Sequence, residues 1–232
     1  MRVFIIFGVA TLGLFFYNFT QEPQVIKEKI FEEKNGVLAV EAEHFYEQSK
    51  SEIRKWYIIG KKHKSKLTDP DEPHAGSASG GRYVECLPDT RTTHDDKLTA
   101  SENFSNKAGE MAILHYKVQI NNPGKYYVWV RAYSTGTEDN GIHVGIDGEW
   151  PESGQRLQWC EGKNQWYWES KQRTQDVHCG VDELIYLDIK EAGGHDIQFS
   201  MREDGFEFDK FVLTRDYQKP EGAGPEEVIK RK

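Results

Sequence analysis

The 232-residue sequence is poor in cysteine and proline, and these shortages exclude several classes of protein. Its three cysteines, Cys86, Cys160 and Cys179, form no C-x-x-C pair, which excludes a zinc ribbon and a thioredoxin-like redox site. Only eight residues are proline whereas 12% are aromatic, which argues against disorder and for a core built of rings. The length suits one domain and leaves no room for two full catalytic domains.

Positive charge is in the minority, with 30 Lys and Arg residues against 38 Asp and Glu and a net charge of -8. We therefore predict no nucleic-acid partner, and a membrane contact only through an uncleaved N-terminal segment. The sequence also lacks a G-x-S-x-G motif, an H-E-x-x-H motif and a P-loop. The usual hydrolase, metalloprotease and nucleotide-binding interpretations therefore find no support in it.

Long apolar runs are confined to residues 3–16, so residues 1–21 are predicted to be a signal peptide or, if uncleaved, an anchor. This segment predicts a secreted, periplasmic or cell-surface protein in an oxidising compartment. Cys160 and Cys179 are then the candidate disulfide, by nearness in sequence alone. The alternative is that all three cysteines are small buried apolar residues.

Helical periodicity is nearly absent, and short β-type runs separated by Gly, Asn, Asp and Pro begin near Gly36. This pattern predicts an all-β fold, a two-sheet antiparallel β-sandwich of jelly-roll type over residues 36–216. Residues 22–35 are predicted to be a leader and residues 217–232 a flexible tail. The ten predicted strands are residues 37–45, 56–59, 82–87, 112–120, 125–133, 141–146, 165–170, 184–189, 195–201 and 206–214.

Five motifs stand in a recognisable order: VLAVEAEHF, GGRYVE, PGKYYVWVRAYS, NQWYW and GGHDIQFSMREDGFEFDKFVLT. In this order the chain resembles the carbohydrate-binding modules of families 6 and 35, which are galactose-binding-like β-sandwiches. The resemblance covers about residues 36–216 and implies non-catalytic binding of a polysaccharide. The sequence departs from the family at residues 50–79, which look like an insertion, and at Glu207, where many relatives carry an asparagine. The first departure implies altered loops, and the second bears on sugar specificity.

Glu41 and Glu43 are two residues apart, so on a strand both would project from one face and repel each other unless neutralised. Carboxylate oxygens from separate strands suit Ca²⁺, which accepts six to eight oxygen ligands. In the resembled family the two glutamates of the E-A-E strand and the aspartate of the closing strand hold a structural calcium. These positions are Glu41, Glu43 and Asp209 here. The alternative is that the glutamates pair with Lys210 or Arg131, or face water.

Aromatic residues crowd into a polar segment that includes Trp166 and Trp168, so some of these rings should be exposed. Exposed rings suit sugar binding, because they can stack on the apolar C–H faces of a sugar. The resemblance implies a cleft formed by Trp166, Tyr83 and Glu207, and Trp168 shares the strand face of Trp166. The alternatives are a core tryptophan, an internal Tyr83, and a Glu207 that holds sugar hydroxyls or a cationic sugar or joins the calcium site.

We therefore predict a secreted module that binds a polysaccharide or oligosaccharide weakly, by stacking and hydrogen bonds, with separate glycan-degrading enzymes as possible partners. One alternative is a small jelly-roll lyase or hydrolase that acts on an acidic polysaccharide, with His115, Tyr116, Arg131 or Glu207 in its cleft. Another is a structural or adhesion domain on which the cleft has closed.

Overall fold

The computed structural model describes residues 29–61, 65 and 67–231. The predicted signal peptide and most of the predicted leader lie outside these residues. In the part of the chain that is described, the regular structure is strand and short 3₁₀ turn, and no helix is long and apolar enough to cross a membrane. The all-β prediction is confirmed.

Thirteen strands run through the described ranges, and they include a counterpart of every predicted strand. They are β1 (Phe31–Glu32), β2 (Val37–Glu41), β3 (Glu47–Ser49), β4 (Lys55–Gly60), β5 (Arg82–Leu87), β6 (Ile113–Ile120), β7 (Gly124–Tyr133), β8 (Gly141–Ile146), β9 (Leu157–Gln158), β10 (Trp166–Glu169), β11 (Tyr186–Ile189), β12 (Gly193–Met201) and β13 (Glu207–Thr214). The short strands β1, β3 and β9 were not predicted.

The strands form two sheets that pack face to face as a sandwich. The first sheet has the order β1-β6-β12-β8-β9, with β3 also beside β6. The second has the order β10-β7-β13-β5-β4, with β11 beside β7 and β2 beside β13. All pairs between these strands are antiparallel except β1 with β6. The closing strand β13 is central, because it pairs with β7, β2 and β5.

Aromatic rings fill the space between the sheets, as the composition predicted. Phe199 of the first sheet lies 4.8 Å from Phe208 and 4.9 Å from Phe211 of the second, measured between ring centroids. The polar groups of the core rings have partners, as two of these rings show. The Tyr116 hydroxyl donates to the carbonyl of Ala42 (2.7 Å), and Trp56 Nε1 donates to the carbonyl of Ala112 (2.7 Å). Burial therefore leaves neither polar group unsatisfied.

Both ends of the described chain lie against the sandwich, where we expected a leader and a flexible tail. Phe31 is buried in the core, and its strand pairs with β6. Glu227 lies 2.8 Å from His44 Nδ1, and Trp168 Nε1 donates to the carbonyl of Gly222 (3.0 Å). The end segments therefore cover apolar and charged groups that the sandwich alone would leave to water.

Cys160 and Cys179 form a disulfide with a Cα–Cα distance of 5.4 Å, which confirms the predicted pairing. Cys86 is a free, buried thiol on β5, so the small-apolar alternative holds for that residue. The bond ties the segment before β10 to the one before β11. It thereby fixes a long connection that carries little regular structure.

Reduction of this disulfide should lower the free energy of unfolding. The bond closes a loop of 19 residues, for which chain entropy gives about 3 kcal/mol. Urea unfolding with and without reductant would measure the loss. A double variant, Cys160→Ser with Cys179→Ser, should start from the lower stability and show no response to reductant. Equal stability of the oxidised and reduced protein would contradict the prediction.

Candidate functional site

One row of side chains crosses five strands of the second sheet. Trp166, Tyr133, Glu207, Glu85 and Tyr57 stand directly opposite one another on β10, β7, β13, β5 and β4. Directly paired residues share a face of a sheet. The residues next to them in sequence pack into the core, so the side chains of this row face outward, away from the first sheet. We call this surface the outer face of the second sheet.

Residues 67–81, between β4 and β5, lie over this row and bring a histidine into it. The His74 ring stacks on Tyr133 at 3.6 Å between centroids and 14° between planes. His74 Nδ1 lies 2.7 Å from Glu207 Oε1, and the His74 N–H donates to the hydroxyl oxygen of Tyr83 (3.3 Å). The carbonyl of His74 accepts a hydrogen bond from Trp166 Nε1 (3.4 Å). His74 is therefore held on several sides.

The structure brings together three of the four residues predicted to bind ligand. Tyr83 and Trp166 meet edge to face at 5.2 Å, and Glu207 lies beside them through its contact with His74. Their exposure differs: Trp166 is half-buried, whereas Tyr83 and Glu207 are only 1% and 2% exposed. Trp168 lies elsewhere on this face. It packs against Trp129 beneath the chain segment that contains Gly222, and is buried.

Two residues at the centre of this site, His74 and Tyr133, were not predicted from the sequence. Tyr133 carried a signal, since it alternates with the core-facing residues of the clearest predicted strand. His74 carried none, because it lies in the segment interpreted as an insertion. Its position depends on the path of a loop, which no local pattern specifies.

The site is rich in carboxyl groups whose pKa values are raised by burial. Burial, with the neighbouring Glu207, raises the pKa of Glu85 to about 10. Burial and nearby aspartates, Asp71 first among them, raise the pKa of Glu207 well above its usual value. Burial lowers the pKa of His74 against the opposing pull of Asp71 and Asp69. Burial therefore opposes the ionisation of both partners in the contact between His74 and Glu207.

The three carboxyl groups predicted to hold calcium lie close together on the same outer face. The Ser79 hydroxyl donates to Glu41 Oε1 (2.8 Å), and the Ser79 N–H donates to Asp209 Oδ1 (2.8 Å). Burial, with smaller contributions from Glu41 and Asp209, raises the pKa of Glu43 to about 7. We expected Glu41 and Glu43 to lie on one strand, and this expectation was wrong. Strand β2 ends at Glu41, and Glu43 lies in the 3₁₀ turn Ala42–His44.

Two cations of the chain already pair with these carboxylates, and the alternative interpretation holds for Glu41, which pairs with Lys210. Lys210 Nζ lies 2.7 Å from Glu41 Oε1, and Arg131 Nη1 donates to Asp209 Oδ2 (2.5 Å). Glu41 Oε2 and Glu43 Oε2 are buried without a hydrogen-bond partner. Within the described ranges, no group of three or more His, Cys, Asp or Glu residues is arranged to hold a metal ion. The two unpartnered oxygens of Glu41 and Glu43 are therefore free to bind a hard cation, whereas Glu41 Oε1 and Asp209 Oδ2 already contact Lys210 and Arg131.

Comparison with protein families gives one match that covers most of the chain. The model of the glycosyl hydrolase family 115 C-terminal domain matches residues 70–227. A curated relative, the uncharacterized protein P23 of Formosa agariphila, is 58% identical over 199 residues, which is 85% of this chain. The chain spans about half the length of that relative (48%).

Solved structures similar to this chain include three carbohydrate-active proteins. A xanthan lyase from Paenibacillus matches 77% of this chain and 13% of its own, with 11% identity and a TM-score of 0.41. A Podospora anserina GH26-CBM35 β-(1,4)-mannanase matches 81% of this chain and 29% of its own, with 13% identity and a TM-score of 0.41. A family 35 carbohydrate-binding module from Clostridium thermocellum matches 76% of this chain and 96% of its own, with 13% identity and a TM-score of 0.39.

The buried carboxyls should make the protein less stable as pH rises. The pKa values of Glu43 and Glu85 are raised from 4.5 to about 7 and about 10 in the folded state. Their contribution is complete below about pH 4.5 and is lost as pH rises through the folded-state values. Urea unfolding at pH 5, 7 and 9 should show a falling free energy of unfolding.

The variant Glu85→Gln should flatten this decline between pH 7 and 9, because the amide does not titrate. Glu47→Gln, at an exposed position on β3, is the matched control and should retain the full decline. A wild-type free energy of unfolding that stayed level or rose from pH 5 to 9 would contradict the prediction.

Proposed function

The chain belongs to the family of glycosyl hydrolase family 115 C-terminal domains, and we propose that it binds a polysaccharide without cleaving it. The ligand would lie in the cleft formed by Trp166, Tyr133 and His74 on the outer face of the second sheet. The observation that carries the proposal is the Trp166 ring, which is half-buried and braced by other rings. Such a ring can stack on the apolar face of a sugar.

The Trp166 ring is braced on several sides, which favours binding. It meets Tyr83 at 5.2 Å and Tyr133 at 5.5 Å, both edge to face, and the Arg131 guanidinium lies 5.6 Å from its centroid. A side chain already fixed in place loses little conformational entropy when a ligand binds. Binding through one such platform remains weak, because association itself has a large entropic cost.

The charge of the cleft favours a neutral or cationic sugar over a uronic or sulfated one. Asp69, Asp71 and Asp139 all act electrostatically on His74. An anionic ligand would approach these carboxylates at a cost, whereas hydroxyl groups can donate to them. Glu207 is too deeply buried for direct contact with a ligand. We infer that it orients His74, which would contact the sugar in its place.

Several features support binding over the alternative of cleavage. A glycosidase needs two carboxyl groups that reach the glycosidic bond from either side. Glu85 and Glu207 stand directly opposite on neighbouring strands, but both are 2% exposed. In this conformation a sugar chain would meet Trp166 and His74 before it reached either carboxyl group.

We also propose that the protein acts outside the cytoplasm, secreted, periplasmic or at the cell surface, beside separate glycan-degrading enzymes. The disulfide between Cys160 and Cys179 supports an oxidising compartment. The family to which the chain belongs is named for glycosyl hydrolases, which supports enzymes of that class as partners.

Affinity electrophoresis through gels that contain neutral, amino, uronic or sulfated polysaccharides tests the binding proposal. Retardation by a neutral or amino polymer is expected, with no new reducing ends or unsaturated products in the same mixture. Trp166→Ala should weaken retention about tenfold or more, which corresponds to about 1.4 kcal/mol or more.

Tyr127→Ala is the matched control, because Tyr127 also faces outward from β7 but stands at the far end of that strand. It should bind like the wild type. Equal loss in both variants would place the ligand elsewhere, and release of new chain ends would favour the lyase or hydrolase alternative.

We further propose a structural calcium held by Glu41, Glu43 and Asp209. Its support is the pair of buried carboxylate oxygens without partners, Glu41 Oε2 and Glu43 Oε2. Oxygen ligands of this kind are what Ca²⁺ requires, and a bound ion would stabilise the pairing of β2 with β13. It would compete with Lys210 and Arg131 for the carboxylates.

Thermal unfolding in CaCl₂ and in EDTA tests the calcium proposal. A concentration 100 times the dissociation constant should add about 2.7 kcal/mol to the free energy of unfolding. Glu43→Gln should abolish the gain, and Glu47→Gln should keep it. If CaCl₂ adds nothing, the ion pairs with Lys210 and Arg131 alone neutralise the cluster.

A further inference from the structure

A serine, a histidine and an aspartate meet on the outer face of the first sheet, on the opposite side of the sandwich from the proposed sugar cleft. Ser49 ends β3, His115 lies on β6 and Asp196 lies on β12, and these three strands are neighbours. Ser49 Oγ lies 2.8 Å from His115 Nε2. His115 Nδ1 lies 2.8 Å from Asp196 Oδ2.

These distances satisfy the requirements for an activated nucleophile. The hydroxyl is within hydrogen-bond reach of a base, and a third group orients that base from its other nitrogen. One tautomer serves both contacts, with the proton on Nδ1 donated to Asp196 and Nε2 left to accept from Ser49. In that state Nε2 can take up the hydroxyl proton.

The surroundings hold the base and the aspartate in place. The N–H of Asp196 donates to Asp147 Oδ1 (2.8 Å), and the ring of Tyr46 meets the His115 ring edge-on at 6.0 Å. Gln198 Nε2 lies 3.1 Å from Nδ1, a contact that is not a hydrogen bond when Nδ1 carries the proton, and Gln198 Oε1 accepts from the N–H of Gly148. Asp196 Oδ1 has no hydrogen-bond partner in the described chain. The hydrogen bond to His115 is therefore the contact that orients the Asp196 carboxylate.

A ligand can reach this cluster from solvent. Ser49 is half-buried, and the side chains of His115 and Asp196 are 13% and 25% exposed. The chain turns directly after Ser49, where Lys50 has a left-handed backbone (φ +50°). In serine hydrolases the N–H that follows the nucleophile can stabilise the oxyanion.

We propose that Ser49, His115 and Asp196 form a second, catalytic site that hydrolyses esters between a carboxylic acid and a hydroxyl group. Ser49 is the nucleophile, His115 the general base and acid, and Asp196 the positioning residue. This inference does not rest on the sugar-binding proposal, because the two sites share no residue and lie on different sheets.

The reaction balances with water as the second reactant. Ser49 Oγ attacks the ester carbonyl carbon while its proton moves to His115 Nε2. The bond between that carbon and the alcohol oxygen then breaks, and the same proton passes to the departing alcohol. Water next attacks the acyl-serine, gives a proton to His115, and releases the carboxylic acid as Ser49 regains its proton.

The sequence concealed this cluster because its members are 66 and 81 positions apart and carry no G-x-S-x-G motif. That motif belongs to one fold, in which a strand leads through a sharp turn into a helix. A triad is defined by geometry and roles, and it occurs in different chain orders on unrelated folds.

A 4-nitrophenyl organophosphonate tests the proposal directly, because an activated serine displaces 4-nitrophenol and keeps the phosphonyl group. With the full chain we expect one label, which peptide mass spectrometry locates at Ser49. Ser49→Ala should remove it. His115→Gln should slow labelling about 100-fold or more, the contribution expected of a general base. Asp196→Asn should also slow it, because the amide favours the wrong tautomer.

Ser51→Ala is the matched control, since it removes a hydroxyl two residues away and should label at the wild-type rate. Circular dichroism would show whether each variant is folded. An absence of label on the folded wild-type protein would overturn the proposal, as would labelling of Ser49 at an unchanged rate in His115→Gln. Hydrolysis of 4-nitrophenyl acetate that persists in Ser49→Ala would also overturn it.

Discussion

The closing strand β13 is the constraint on which the rest of the structure depends. It pairs with three strands and buries Phe208, Phe211 and Leu213 in the core. Its register shifts between Phe208 and Lys210, so this strand directs both Glu207 and Lys210 toward the outer face. A bulge of this kind re-aims side chains without breaking the sheet.

Charge buried on that face must be paired or neutralised, and the chain does both. Lys210 and Arg131 pair with carboxylates at one end of the face, whereas at the other end burial favours the neutral forms of Glu85 and Glu207. Residues 67–81 and the segment after β13 form the cover that makes this burial possible. The negative charge of the proposed cleft comes instead from Asp69, Asp71 and Asp139, which act electrostatically on His74.

The sequence predicted the strands that show a regular alternation of residues. It did not predict the short strands or the residues whose positions depend on the course of a loop. Strands with many alternating residues were found, whereas β1, β3 and β9, of two or three residues, are too short to show a period. The resemblance predicted Tyr83, Trp166 and Glu207 in one cleft, and the structure places the three residues near one another. It could not place Trp168, which is covered by a segment outside the resemblance, or His74, which enters through a loop.

The two outer faces of the sandwich differ in how they satisfy polar groups, and this difference separates their proposed roles. On the second sheet a cover of loop and tail buries carboxyl groups and raises the pKa of Glu85, while the Trp166 ring packs against Tyr83 and stays half-buried. On the first sheet Ser49, His115 and Asp196 stay partly exposed and satisfy one another in a chain of two hydrogen bonds. Packed sheets lie about 10 Å apart, so a ligand seated on Trp166 cannot also touch Ser49. Each face can therefore lose its function while the other keeps its own.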